Sequence, residues 1–211
     1  MPSSSTLAVF LIAALALLVV PGPAVLYIVA RGIDQGRSAA FASAAGIAGG
    51  SLVHVAAAAL GLSALVASSA VAFSTVKWLG AGYLVFLGIR TLLREPHPEA
   101  MPAQLPRSRR RIFLQGVAVQ ILNPKMALFF LAFLPQFVDP ARGSVPLQTL
   151  ALGGQLVGMG LCTDSTYALV AGSAGAWLGQ NTTFLRSQRY VSGTVFIGLG
   201  VTAAPTGQGK H

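Results

Sequence analysis

The chain has 211 residues, 54% of them hydrophobic and only 9% charged, with a formal net charge of +9. Soluble domains carry about a quarter charged residues, so this composition excludes an ordinary soluble domain and points to an all-α integral membrane protein whose length fits five or six spans of about 20 apolar residues. The positive charge does not imply nucleic acid, because the arginines sit in short loops between apolar runs, where they set orientation.

The first apolar segment covers about residues 7–30. Its start lacks the basic n-region of a signal peptide, so it reads as a retained first span. Inside it stand Pro21, Gly22 and Pro23, helix breakers in the interior of a membrane-length run. The basic stretch "RGIDQGRS" follows as a loop. The second segment, about 39–66, is crowded with glycine and alanine, "AAGIAGGSLVHVAAAALGL", and carries Ser51 and His54. Small residues at helical spacing let membrane helices approach closely, so this is first a packing face.

The third segment, about 70–93, contains Tyr83, which lines a pathway through its hydroxyl or sits in an interfacial belt. A loop over 94–112, rich in Pro, Glu and Arg, reads as flexible and solvated, with "RSRRR" an orientation and anionic-lipid anchor. The fourth segment, about 113–138, breaks at Asn123 and Pro124, followed at once by Lys125. The fifth, about 147–178, is again glycine-rich. It holds Asp164 and the single cysteine, Cys162, which reads as packing and excludes a disulfide framework. The sixth, about 190–204, is short for a bilayer, so five spans stand as the alternative to six. In the six-span layout the basic loops all fall on one side, expected to be cytoplasmic, with both termini outside.

Each internal proline removes a backbone donor, and the freed polar groups cannot face lipid. Interrupted helices at matching positions of two halves point to a midplane substrate site in a transporter of inverted repeats. The expected architecture is one transmembrane domain over residues 1–211. It comprises two inverted three-helix repeats, about 1–93 and about 113–204, with helices 1 and 4 broken. Lys125 lies about 14 residues, about 20 Å of helix, beyond the arginine cluster, too far to snorkel. A charge at membrane depth needs a partner or a polar cavity. Asp164 is the only acid inside a span, so the two are expected to approach each other or to share one cavity, unless they form only a stabilising ion pair. His54 can change charge near neutral pH and is either a proton-coupled group or a neutral imidazole bonded to a carbonyl. Ser51, Tyr83 and Gln120 are secondary candidates on the same path. His54, Asp164 and Lys125 lack metal-ligand spacing, and no nucleophile constellation appears, so neither a metal, a cofactor nor an enzyme is expected.

The stretches "PGPAVLYIVARGIDQGRSAAFASAAGIAGGSLVHVAAAALGL", "KWLGAGYLVFLGIRTLL" and "FLQGVAVQILNPKMALFFLAFLPQFV" resemble, in that order, the lysine exporter family of bacterial inner-membrane proteins, particularly its homoserine and threonine efflux branch. The resemblance covers nearly the whole chain. It implies a multi-pass secondary transporter of the inner membrane that exports small amino acids or close analogues, driven by the proton gradient, with the broken helices near the substrate path. The matching positions are Pro21, Gly22, Pro23, Asn123, Pro124 and Lys125, with Asp164 in the fifth segment. Several members carry an acidic residue in the second span where this chain has Ser51, a departure that speaks against an acid-dependent coupling scheme at that place.

An amino acid zwitterion needs donors for its carboxylate and acceptors for its ammonium. Half-helix N-termini after Pro23 and Pro124, aided by Lys125, would serve the carboxylate, and Asp164 or freed carbonyls the ammonium. Protonation of Asp164 or His54 would reset affinity between inward and outward states. The expected partners are thus an amino acid, protons and membrane lipids. The glycine-rich faces leave a homodimer open. The competing classes are an ion or metal exporter of related architecture and a non-transporting membrane scaffold.

Overall fold

A computed structural model of the chain describes residues 4–68 and 108–180 continuously, with scattered positions between 71 and 93 and between 190 and 201. Most of the third and sixth segments, Tyr83 and residues 94–107 of the loop lie outside the described residues.

Among the described residues every regular element is helical. Helix α1 (Ser4–Val19) ends where Pro21 and Pro23 cannot donate. Helix α2 (Pro23–Gln35) begins with proline at its first position, where the missing N–H is not needed. The two are bent by 47°. Gly36, at φ +80°, makes the turn into α3 (Arg37–Ser68), a conformation L side chains rarely adopt. Helix α4 (Arg109–Ile121) starts at Ser108, whose hydroxyl accepts from the Arg111 amide. It stops before Pro124, which opens the short α5 (Pro124–Leu128). The chain then loosens into a π-turn (Phe129–Phe133) and tightens into a 3-10 turn (Leu134–Phe137). This second pair is bent by 51°. A long α6 (Val145–Gln180) follows.

Residues Arg37–Leu62 of α3 and Val145–Ala171 of α6 are each long and apolar enough to cross a membrane; with each bent pair taken as one broken span, the described residues hold up to four. Large apolar side chains such as Ile12, Leu60, Leu122 and Leu131 point outward, as helices in lipid require. Cys162 also faces outward on α6, so it is not the packing residue that the sequence suggests.

Two kinds of contact hold the helices together. The first is glycine-mediated close approach of α3 to α4: a Cβ at Gly46 would collide with the Phe113 carbonyl, and one at Gly116 would lie 2.8 Å from the Ser43 carbonyl. A Cβ at Gly50 would lie 2.6 Å from Gln120 Cβ. Gly46 and Gly50 are four apart and share a helix face, the small-residue spacing that allows such crossings. Gly153 on α6 meets Val55 on α3 in the same way, and Gly32 on α2 meets Ala171 on α6. The second is an aromatic core. Phe10 of α1 stacks with Phe133 at 6.3 Å and meets Phe137 edge-on at 5.2 Å, while Phe129 and Phe133 stand 4.6 Å apart. This pins the first half of one broken helix against the second half of the other.

The basic stretch at 31–38 is not the loop that charge alone suggests. Arg31–Gln35 complete α2 and Arg37 begins α3, leaving only Gly36 between them. Arg31 is 1% exposed. Its guanidinium donates to Gln115 Oε1 at 3.0 Å and lies 5.7 Å over the Tyr27 ring, one helical turn earlier. Tyr27 in turn donates to the Ile112 carbonyl at 2.8 Å. Buried in this way, Arg31 joins α2 to α4.

Candidate functional site

A proline at position i leaves the carbonyl at i−4 without its helical donor. In this chain Pro21 orphans Leu17, Pro23 orphans Val19 and Pro124 orphans Gln120. In hydrocarbon each such carbonyl would be costly, so each must find a donor from elsewhere in the protein.

All three do. Lys125 Nζ, reaching across from α5, donates to the Leu17 carbonyl at 2.7 Å and to that of Val20 at 2.6 Å. The Tyr167 hydroxyl of α6 donates to the Val19 carbonyl at 2.7 Å. His54 Nε2 of α3 lies 3.0 Å from the Gln120 carbonyl, which also accepts from the Asn123 amide at 3.1 Å. A carbonyl only accepts, so His54 Nε2 carries the proton in this contact. The imidazole stacks on Phe130 with ring centres 5.6 Å apart.

A chain of hydrogen bonds runs on from the second break. The Lys125 amide donates to Asn123 Oδ1 at 3.1 Å, capping α5, and Asn123 Nδ2 donates to Gln120 Oε1 at 3.1 Å. Gln120 Nε2 donates to Ser51 Oγ at 2.7 Å, and Ser51 closes the chain on the Ile47 carbonyl at 3.1 Å. Ser51, Gln120 and Asn123 are all buried. The secondary candidates Ser51 and Gln120 are thus joined directly to the Asn123–Pro124–Lys125 break.

The first break differs from the second. Gly22 caps α2 with no side-chain hydrogen bond, whereas α5 is capped by Asn123. The absent side chain at Gly22 also gives Lys125 its passage, since a Cβ there would lie 3.3 Å from Lys125 Cδ.

Asp164 is 8% exposed on α6, one turn before Tyr167. It lies near enough to Lys125 for their charges to act on each other. The Lys125 nitrogen is not in direct contact with that carboxylate but is held by the carbonyls that end α1. Pro21, Gly22, Pro23, Lys125 and Asp164 therefore share one locale. His54, Ser51 and Gln120 lie along its α3–α4 side, joined through Asn123. Tyr167 was not among the sequence candidates. Its signal is its position three residues after Asp164, which puts both on one helix face. No group of three or more His, Cys, Asp or Glu able to hold a metal ion occurs among the described residues.

Comparison with known proteins places this chain in a wider group. The pattern of the LysE type translocator family matches residues 15–207. An uncharacterized membrane protein of Vibrio cholerae is 29% identical over 92% of this chain and 94% of its own length. The homoserine/homoserine lactone efflux protein of Salmonella typhi is 31% identical over 75% of this chain and 76% of its own. The leucine efflux protein of Salmonella choleraesuis is 25% identical over 92% of both chains. No solved structure matches.

Proposed function

The chain belongs to the LysE type translocator family, and from that premise we propose that it exports a small amino acid or close analogue across the bacterial inner membrane, driven by the proton gradient. The observation that carries this reading is the meeting of two broken helices at Lys125, with the buried Asp164 beside it. Polar groups at membrane depth are costly, and a protein that only packs helices has no need of them. The efflux proteins among its relatives support the same substrate class.

The two ends of an amino acid match this locale. The N-terminus of α2, uncapped by any side chain, presents free amides and the positive end of its dipole to a carboxylate. The N-terminus of α5 is less available, because Asn123 already accepts its first amide. Asp164 offers its carboxylate to the ammonium. Proton uptake at Asp164 or His54 would change the affinity between inward- and outward-facing states. Pro21, Gly22, Pro23, Asn123, Pro124 and Lys125 build the path. The basic stretches face the cytoplasm in this reading.

Efflux of labelled amino acids from cells producing the protein tests it. Selective efflux that collapses with a protonophore supports a proton-driven exporter, and absence of efflux for every amino acid removes the reading.

A further inference from the structure

The broken end of α1 has the chemistry that a cation site requires. Its last carbonyls form the negative end of the helix dipole, equivalent to roughly half an elementary charge. In transporters with interrupted helices such carbonyls coordinate the coupling ion. Helix α1 has no basic residue in its last turn, so nothing local neutralises that end. Two carbonyls there, of Leu17 and Val20, converge on a single nitrogen at 2.7 and 2.6 Å. That nitrogen is Lys125 Nζ, delivered from a different helix.

Three further features show that the arrangement is built. Asn123 fixes the Lys125 backbone by accepting its amide, so the side chain leaves α5 at a set angle. Gly22 is the residue whose missing Cβ leaves space beside the lysine stem, at 3.3 Å from Cδ and 3.7 Å from Nζ. Asp164, 8% exposed, stands one helical turn before Tyr167, whose hydroxyl bonds the Val19 carbonyl of the same break, and so brings a carboxyl group to this locale.

We infer that Lys125 is a tethered cation: its Nζ fills the carbonyl site at the broken end of α1 that a free monovalent cation would otherwise occupy, and the carrier needs no inorganic cation there. The consequence for transport rests on the export reading above. The cation site rests on geometry and is testable apart from it.

The test is thermal unfolding of the purified, detergent-solubilised protein in different cations. Lys125→Ala removes a fragment equivalent to n-propylammonium, leaving the carbonyls and Asp164 around an open space. With n-propylammonium in the buffer the variant gains about 3 °C in Tm. Tetramethylammonium, which has the charge and no N–H donors, gives it no comparable gain. The wild type, whose site is already filled, responds to neither and is indifferent to exchange of Na+ for K+ or choline. Equal responses of the variant to both organic cations overturn the inference, and so does a Na+-specific gain in the wild type. Should Lys125→Ala not fold, the wild-type comparison decides alone: indifference to Na+ upholds the tethered cation and a Na+-specific gain removes it. The two readings fail separately. A protein that exports amino acids in a protonophore-sensitive way yet gains stability specifically from Na+ keeps the export reading and loses the tethered cation. One that passes the unfolding test and moves no amino acid does the reverse.

Discussion

The hydroxyl of Tyr167 donates at 2.7 Å to the carbonyl of Val19, the residue four positions before Pro23. A side chain of α6 therefore takes the place of the N–H that Pro23 lacks. Lys125 does the same for Pro21, and His54 for Pro124. The breaks are held open by donors from other helices, so the site and the packing of the bundle depend on each other.

Tyr167→Phe leaves the Val19 carbonyl short of a donor and lowers stability by about 1 kcal/mol, at the low end for a lost partner because the bond is exposed. The substitution costs less in a Pro23→Ala background, where the alanine amide can serve Val19. A double-mutant cycle on thermal unfolding measures this coupling.

Gln120→Leu cuts the hydrogen-bond chain in the middle, leaving Asn123 Nδ2 without its acceptor and Ser51 Oγ without the donor it accepts from, in a buried place. The expected loss is about 3 kcal/mol. Ser51→Ala removes only the far end of the chain and costs about 1 kcal/mol. Unfolding curves of the two variants against the wild type give both values.

Gly46→Leu and Gly116→Leu each force α3 and α4 apart, because the added side chain has backbone where it must go. Both abolish accumulation of folded protein in the membrane. Gly61→Ala and Gly154→Ala, at positions where a Cβ meets nothing within 4 Å, leave stability within about 0.5 kcal/mol of the wild type. Fluorescence-detected gel filtration of fusion proteins separates the two classes.

Arg31→Lys keeps the charge and loses the planar fork that reaches Gln115 while lying over Tyr27. At 1% exposure the replacement ammonium has no water to turn to. The variant unfolds at a lower temperature than the wild type, by an amount equivalent to about 1–3 kcal/mol, and Arg31→Lys with Gln115→Ala costs less than the sum of the single changes.

Prolines made the breaks legible in the sequence, since a missing donor is written in the residue itself. Long apolar runs made α3 and α6 legible to within a few residues: about 39–66 against Arg37–Ser68, and about 147–178 against Val145–Gln180. The partners of the freed carbonyls were not legible. Which helix supplies a donor depends on the rotation of every helix around the break, and Tyr167 carries no local mark of that role. Elimination among the ionisable residues offers Lys125 and Asp164 either a close approach or a shared cavity, but it says nothing of the main-chain oxygens that take the lysine, which a residue-type reading does not count. Charge misled once. Arg31 sits in a run of polar residues that reads as loop, yet it is eight positions into α2, facing α4, and is buried.

Proton-driven export through the Lys125–Asp164 locale is tested most directly by efflux of a labelled amino acid panel from cells producing the wild type, Lys125→Met or Asp164→Asn at equal membrane levels, with and without a protonophore. The expected result is selective efflux by the wild type, lost with the protonophore and reduced at least about tenfold in both variants, about 1.4 kcal/mol or more in the limiting step. No efflux of any amino acid by the wild type, or undiminished efflux by both variants, would contradict it.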